Sequence, residues 1–257
     1  MASFDSICYK NSFLNQVIIR LDFLEFIPSE TLFSERVLRV ILSSFPAAGM
    51  RQMLRFNDVN VVLNDINATA KTNSQQGYQQ EFMDTQKNKL KVSNKFIILD
   101  VTNYESYEKT LKLLEPVLKV ILEIIPVTTV RTGVRYINVI GNGVVRLTKS
   151  LFAPTVGYLV NTELSKDDNG LSCIRSMCLN EYRIKDMRLN YRYGMFNPEY
   201  PSPMRQANFV LDYDCYCDLL LSGYEQIMSH ICQGHDAIQY LFESSITDNL
   251  RKVMGNG

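Results

Sequence analysis

The chain has little of what usually announces a reaction. Its only histidines are His230 and His235, and no glycine-rich phosphate loop, complete nucleophile set or metal-ligand spacing accompanies them. The six cysteines, at positions 8, 173, 178, 215, 217 and 232, lack the paired CxxC spacing of a zinc ribbon. They are also too dilute in 257 residues for a disulfide scaffold, so reduced and mostly buried thiols are expected. Apolar runs fall well short of the ~20 residues of a membrane-crossing helix, and no basic stretch followed by an apolar one opens the chain. A soluble, cytoplasmic protein with no membrane contact is the expectation. Twenty-seven basic residues balance twenty-seven acidic ones, which argues against indiscriminate attraction to nucleic acid or anionic lipid. What is present is an ordinary globular composition, 46% hydrophobic and 21% charged, able to bury a sizeable core.

Periodicity predicts an α+β fold. Val17, Ile19, Leu21 and Phe23 alternate with Gln16, Ile18, Arg20 and Asp22, which reads as a strand over 15–24. Pro28-Ser29-Glu30 then opens a helix over 30–44, and Val59, Val61 and Leu63 mark a second strand. The polar stretch 64–80 reads as a loop, followed by strands over 78–86 and 89–101. Thr102-x-x-Glu105 matches a capping box for a helix over 103–124 containing Pro116 and stopped at Pro126. The strand bearing Arg135-Tyr136-Ile137-Asn138 follows, so the first half reads β-α-β-β-β-α-β. The second half predicts an antiparallel meander, with strands near 153–165, 171–182, 184–195 and 206–217. Helical sequence then runs from 223 to 254, interrupted at Gln233-Gly234. Two units are expected, 1–143 and 144–257, sharing one core.

Three groups of residues are candidates for function. Arg131 and Arg135 lie four apart on one strand face, with Gly133 between them leaving room for an approaching group. They suit phosphate or carboxylate recognition, or pairing with internal acids. Asp212 and Asp214 share a strand face and either hold Mg²⁺ or Mn²⁺ or neutralise those arginines, the second role being favoured because no third ligand stands at a diagnostic spacing. Asn138 and His235 complete this set, His235 as an acid or base or as a packed helix residue. Arg183, Lys185, Arg188 and Arg192, interleaved with Tyr191 and Tyr193, form either a basic aromatic surface for single-stranded nucleic acid or a sheet with one solvated and one packed face.

The order of landmarks resembles a sporadically distributed family of uncharacterised bacterial proteins of about 250 residues. The resemblance rests on 17–23, Phe45-Pro46, Tyr104 with Tyr107, and the Arg131-x-Gly133-x-Arg135-Tyr136-Ile137-Asn138 strand. It continues in Leu211-Asp212-Tyr213-Asp214, and in a C-terminal helix with His235-Asp236, Phe242-Glu243 and Ile246-Thr247. Phe13-Leu14-Asn15-Gln16 departs from it, standing where a proline and an acidic residue are expected. The resemblance implies a fold and a bacterial source, and carries over no activity and no catalytic residue.

These readings converge on a cytosolic binding or interaction protein whose partner is another protein or a second copy; the resemblance implies a bacterial source, and its sporadic distribution implies a regulatory component of a mobile or defence-related locus. No cofactor or metal is expected. The alternatives are a nucleotide- or nucleic-acid-directed enzyme using the Arg131 and Arg135 anion site with Asp212, Asp214 or His235, and a single-stranded nucleic-acid binder without chemistry.

Overall fold

The computed structural model describes residues 9–63, 68–141, 143–160, 173–202, 204–206 and 208–255, without the side chains of 58–63 and 68–73. The chain opens with β1 (Leu14–Phe23), α1 (Ser29–Leu32), α2 (Glu35–Ser44) and β2 (Ala47–Ala48). Then come β3 (Gln52–Leu63), β4 (Ala68–Met83), β5 (Lys89–Ser93), β6 (Phe96–Val101), α3 (Tyr107–Ile124) and β7 (Thr128–Gly141). A single 3₁₀ turn (Lys149–Leu151) and α4 (Pro154–Gly157) lead to β8 (Ser176–Ile184), β9 (Met187–Phe196), β10 (Asn208–Cys217) and β11 (Leu221–Ser222). The chain closes with α5 (Tyr224–Ser245) and α6 (Asp248–Met254).

The strands make one antiparallel sheet in the order β2-β4-β5-β6-β1-β7-β10-β9-β8, with β3 on β4 and β11 on β7. Strand β7, from the first half, pairs with β10, from the second, and one buried cluster spans both halves. The fold is α+β. The helices pack on one face, where Val17, Ile19 and Leu21 of β1 and Ile97 and Leu99 of β6 meet Leu114, Val117, Leu118 and Ile121 of α3. Alternation turns Ile18, Arg20, Asp22, Ile98 and Asp100 to the other face, which stays open. No helix among the described residues is long and apolar enough to cross a membrane.

Several elements differ from the sequence reading. The first helix breaks at Phe33-Ser34 into α1 and α2. The polar stretch expected as a loop is mostly strand: β3 and β4 pair from Gln52↔Gln79 to Leu63↔Ala68 as a long two-stranded ribbon, while only Gln79–Met83 also pairs with β5. The ribbon's described side chains are exposed at Gln52, Met53, Arg55 and Asn57 and at Ser74, Gln75 and Gln76, so this part needs no apolar alternation. Residues 64–67 lie outside the described set. The expected strand over 89–101 is a hairpin, β5 and β6. Helix α3 starts at Ser106, whose hydroxyl accepts from the Lys109 amide, and Thr102 is held instead by Asn88 Oδ1 on its amide. The helix runs unbroken through Pro116. Residues 154–157 are helical rather than extended, and 161–172 lie outside the described set.

Helix α5 passes straight through Gln233-Gly234 and breaks at Ile246-Thr247, where Ile246 bridges to Phe152 and the Thr247 amide donates to Leu151 O. Gly234 is there for closeness rather than for a turn. A Cβ at that position would stand 3.3 Å from Met187 Cε and 3.5 Å from Val134 Cγ2, so the glycine lets α5 sit down on β7 and β9. Gly234→Ala is expected to leave stability within about 1 kcal/mol, since helix propensity offsets a contact that the flexible Met187 relieves. Gly234→Leu is expected to cost about 2 kcal/mol through overpacking. Urea unfolding of both variants checks the pair.

Candidate functional site

Strand β7 carries two different surfaces. On the open face stand Arg131, Gly133 and Arg135, and on the helix face Val134, Tyr136 and Asn138. Gly133 lies opposite Arg20 of β1 and Tyr216 of β10 in regular register, so no bulge at that position disturbs the alternation.

On the open face, a groove of about 660 Å³ runs across β5, β6, β1, β7 and β10. It is lined by Arg20, Lys91, Arg131 and Arg135 and by Asp22, Asp100 and Asp214, with Ile18 and Ile98 on its floor. The charges are organised by cross-strand pairing. Arg135 donates from Nε and Nη2 to the two oxygens of Asp212, both at 2.8 Å, and Arg192 approaches the same carboxylate at 3.3 Å. Asp212 is buried, whereas both arginines keep 38% of their side-chain surface. That bidentate contact is the main reason the Arg135 guanidinium holds its proton even more firmly than usual. Arg20 makes a bidentate pair with Asp22. Arg131 lies 3.8 Å from Asp214 and stacks over the Tyr216 ring at 3.8 Å. Gly133 makes room for that tyrosine, since a Cβ there would stand 3.0 Å from Tyr216 Cβ. The two aspartates therefore serve as partners of the two arginines, the favoured reading of their spacing.

The helix face holds a second, smaller cavity of about 110 Å³ among Tyr9, Leu14, Tyr104, Tyr136, Asn138, His235 and Phe242. His235 stacks on Tyr107 at 3.7 Å, and its Nδ1 hydrogen-bonds with the Tyr136 hydroxyl at 2.8 Å. Burial, with Tyr104 second, raises the Tyr136 hydroxyl well above the usual phenol range. Asn138 is buried and donates to Leu211 O.

The six residues grouped from sequence thus divide. Arg131, Arg135, Asp212 and Asp214 come together on the open face, while Asn138 and His235 lie behind the sheet. An arginine clamp with His235 as its acid or base is not assembled. The second group divides in the same way. Arg183, Arg188 and Arg192 line the open face near its β8 edge, and Lys185 sits in the turn that follows β8, whereas Tyr191 and Tyr193 are buried and stacked at 4.5 Å. Period-two alternation separates these four cations from Tyr191 and Tyr193. Sequence reasoning passed over Arg20, Asp22, Lys91 and Asp100, whose alternation with apolar neighbours was the available signal. It also passed over Tyr9, which is separated by 234 positions from its partner Glu243 and left no local trace. Among the described residues, no group of three His, Cys, Asp or Glu side chains is placed to hold a metal ion.

Comparison with protein families, with curated proteins and with solved structures found no match.

Asp214 bears the clearest electrostatic cost on the open face. Burial raises its carboxyl above the ordinary aspartate value, with Arg131, Arg135 and Arg192 opposing and Asp212 adding to the rise. A raised folded-state pKa contributes stability that is complete below the unfolded value of about 3.9 and is lost as pH rises through the folded value. Asp214→Asn is therefore expected to gain stability relative to the native sequence between pH 3.5 and pH 7. Urea titrations at the two pH values check the sign, and an unchanged difference would contradict it.

Proposed function

We propose that this chain is a binding protein that offers the groove on the open face of its sheet to a protein partner. The observation that supports this reading most is the charge balance of the groove, four basic and three acidic lining residues with buried Asp212 beneath Arg135. A polyanion is bound by an excess of cations, and this groove has almost none. A protein surface with its own mixed charges finds complementary partners here. The guanidiniums are pre-positioned by carboxylates, yet each has more N–H donors than its carboxylate uses. Their ordering is completed in the free protein, which lowers the entropy cost of association.

The split between Arg135 and His235 weakens the enzyme alternative, and the burial of Tyr191 and Tyr193 weakens single-stranded nucleic-acid binding. A bacterial cytosolic setting and a regulatory role in a mobile or defence-related locus belong to this proposal. Their support is the resemblance carried by the Arg131 to Asn138 strand and the His235 to Thr247 helix.

The test is affinity purification of the tagged protein from its host, followed by mass spectrometry and ultraviolet absorbance. A protein partner in near-equal amount is expected, reduced about tenfold in a Lys91→Glu/Arg131→Glu variant of unchanged circular dichroism. Nucleotide or nucleic acid retained by the native sequence and lost from the same variant would contradict the proposal.

A further inference from the structure

The cavity behind β7 has a composition that the open face does not share. Four aromatic residues wall it, in two inclined pairs: Tyr104 and Tyr136 with centroids 5.9 Å apart at 62°, and Tyr9 and Phe242 with centroids 6.4 Å apart at 66°. Two carboxylates, Glu105 and Glu243, stand in the lining beside the polar Ser12, Asn138, His235 and Gln239, and no lysine or arginine is among the lining residues. The cations that pair with these acids approach from outside the lining. Arg251 Nε donates to Glu243 Oε2 at 2.9 Å, and Lys109 pairs with Glu105 one helical turn on. The Tyr9 hydroxyl donates to Glu243 Oε1 at 2.8 Å, and the Tyr136 hydroxyl is engaged with His235.

That lining selects by charge and by size. The carboxylates line the cavity while their paired cations stand outside it, so an anion would meet the acids first. With Tyr9 and Tyr136 engaged and Glu243 contacted on both oxygens, much of the lining's hydrogen-bonding capacity is already in use, which disfavours a ligand that must replace a full shell of water. A methylated ammonium group has no N–H to satisfy, carries a diffuse positive charge, and is attracted by ring quadrupoles and nearby carboxylates. A cavity of about 110 Å³ matches a group of that bulk.

We infer that the cavity bounded by Tyr9, Tyr104, Tyr136, Phe242, Glu105 and Glu243 is a cage for a quaternary or methylated ammonium group. The site is independent of the proposed partner groove, from which the sheet itself separates it. The same chemistry arrives either as a free small molecule such as choline or as a trimethylated lysine on another protein.

The test is calorimetric titration of the full chain with three probes: choline, a trimethyllysine peptide, and 3,3-dimethylbutanol, which keeps the shape of choline with carbon in place of nitrogen. Saturable binding of choline or of the peptide is expected, with the neutral isostere at least about tenfold weaker, as a cation–π contribution of this size requires. Binding of choline with no gain from the peptide identifies a small-molecule ligand, and a peptide preference identifies a protein side chain. Tyr104→Leu is expected to weaken the better probe about tenfold. Glu105→Gln, at a partly exposed position whose loss leaves the core intact, is expected to weaken it less. Absence of binding by both cations, or equal binding of the isostere, would overturn the inference.

Discussion

Strand β7 is hydrogen-bonded along both edges, to β1 and to β10, and its register is held by side chains that are sealed under the helices. Val134, Tyr136 and Ile140 are at most 7% exposed, and Tyr136 is tied to α5 through His235. A slip by one residue would turn Arg135 into that core and Tyr136 to solvent, a cost no arrangement of the rest of the chain offsets. This fixed alternation assigns Arg131 and Arg135 to one side, with the groove, and Tyr136 and Asn138 to the other, with the cavity.

The open face then has to manage its own electrostatics. Arginines in the middle of a wide sheet, with strands on either side, are only half hydrated, and unpaired they would be costly. The β10 aspartates answer this unevenly. Asp212 accepts from two arginines and is buried beneath them, while Asp214 is desolvated with only a long contact to Arg131. The face is therefore charged and internally paired rather than merely wet. The helix face is organised by aromatic rings, where Tyr107, His235, Tyr136 and Tyr104 stack or meet edge-on from α3, α5, β7 and the segment before α3.

The elements legible in the sequence are those that bury one side. Strand β1, strand β7, the body of α3 and the β8–β9–β10 meander announce themselves by alternation or by a 3.6-residue apolar stripe. The first part of β4 escaped because Thr72, Asn73, Ser74, Gln75 and Gln76 carry no such signal, and the interruption of α5 was misplaced because Gly234 was read as a breaker when it is a spacer. The same rule explains the site. That Asp212 and Asp214 pair with arginines was readable as complementary charge at alternating strand positions, but the choice of partner was not, because Arg135 stands opposite Asp214 and reaches diagonally to Asp212. The separation of Arg131 from His235, and of Arg188 from Tyr191, depends on which face the helices cover, a tertiary fact that one strand's pattern leaves open. The ring cage joins Tyr9 to Phe242 and Glu243 across most of the chain, which no local motif reports.

Cysteine accessibility along β7 tests the alternation most directly. With Cys8, Cys173, Cys178 and Cys232 replaced by serine and the buried Cys215 and Cys217 kept as a slow background, one further cysteine at a time is placed at Arg131, Arg135 or Ile137 and at Val134, Tyr136 or Ile140, and its reaction with a thiol reagent is timed. Fast modification is expected at the first three positions and reaction about a hundredfold slower at the last three, where the thiol waits for local opening. Similar rates at neighbouring positions, or a fast site at Tyr136 and a slow one at Arg135, would contradict it.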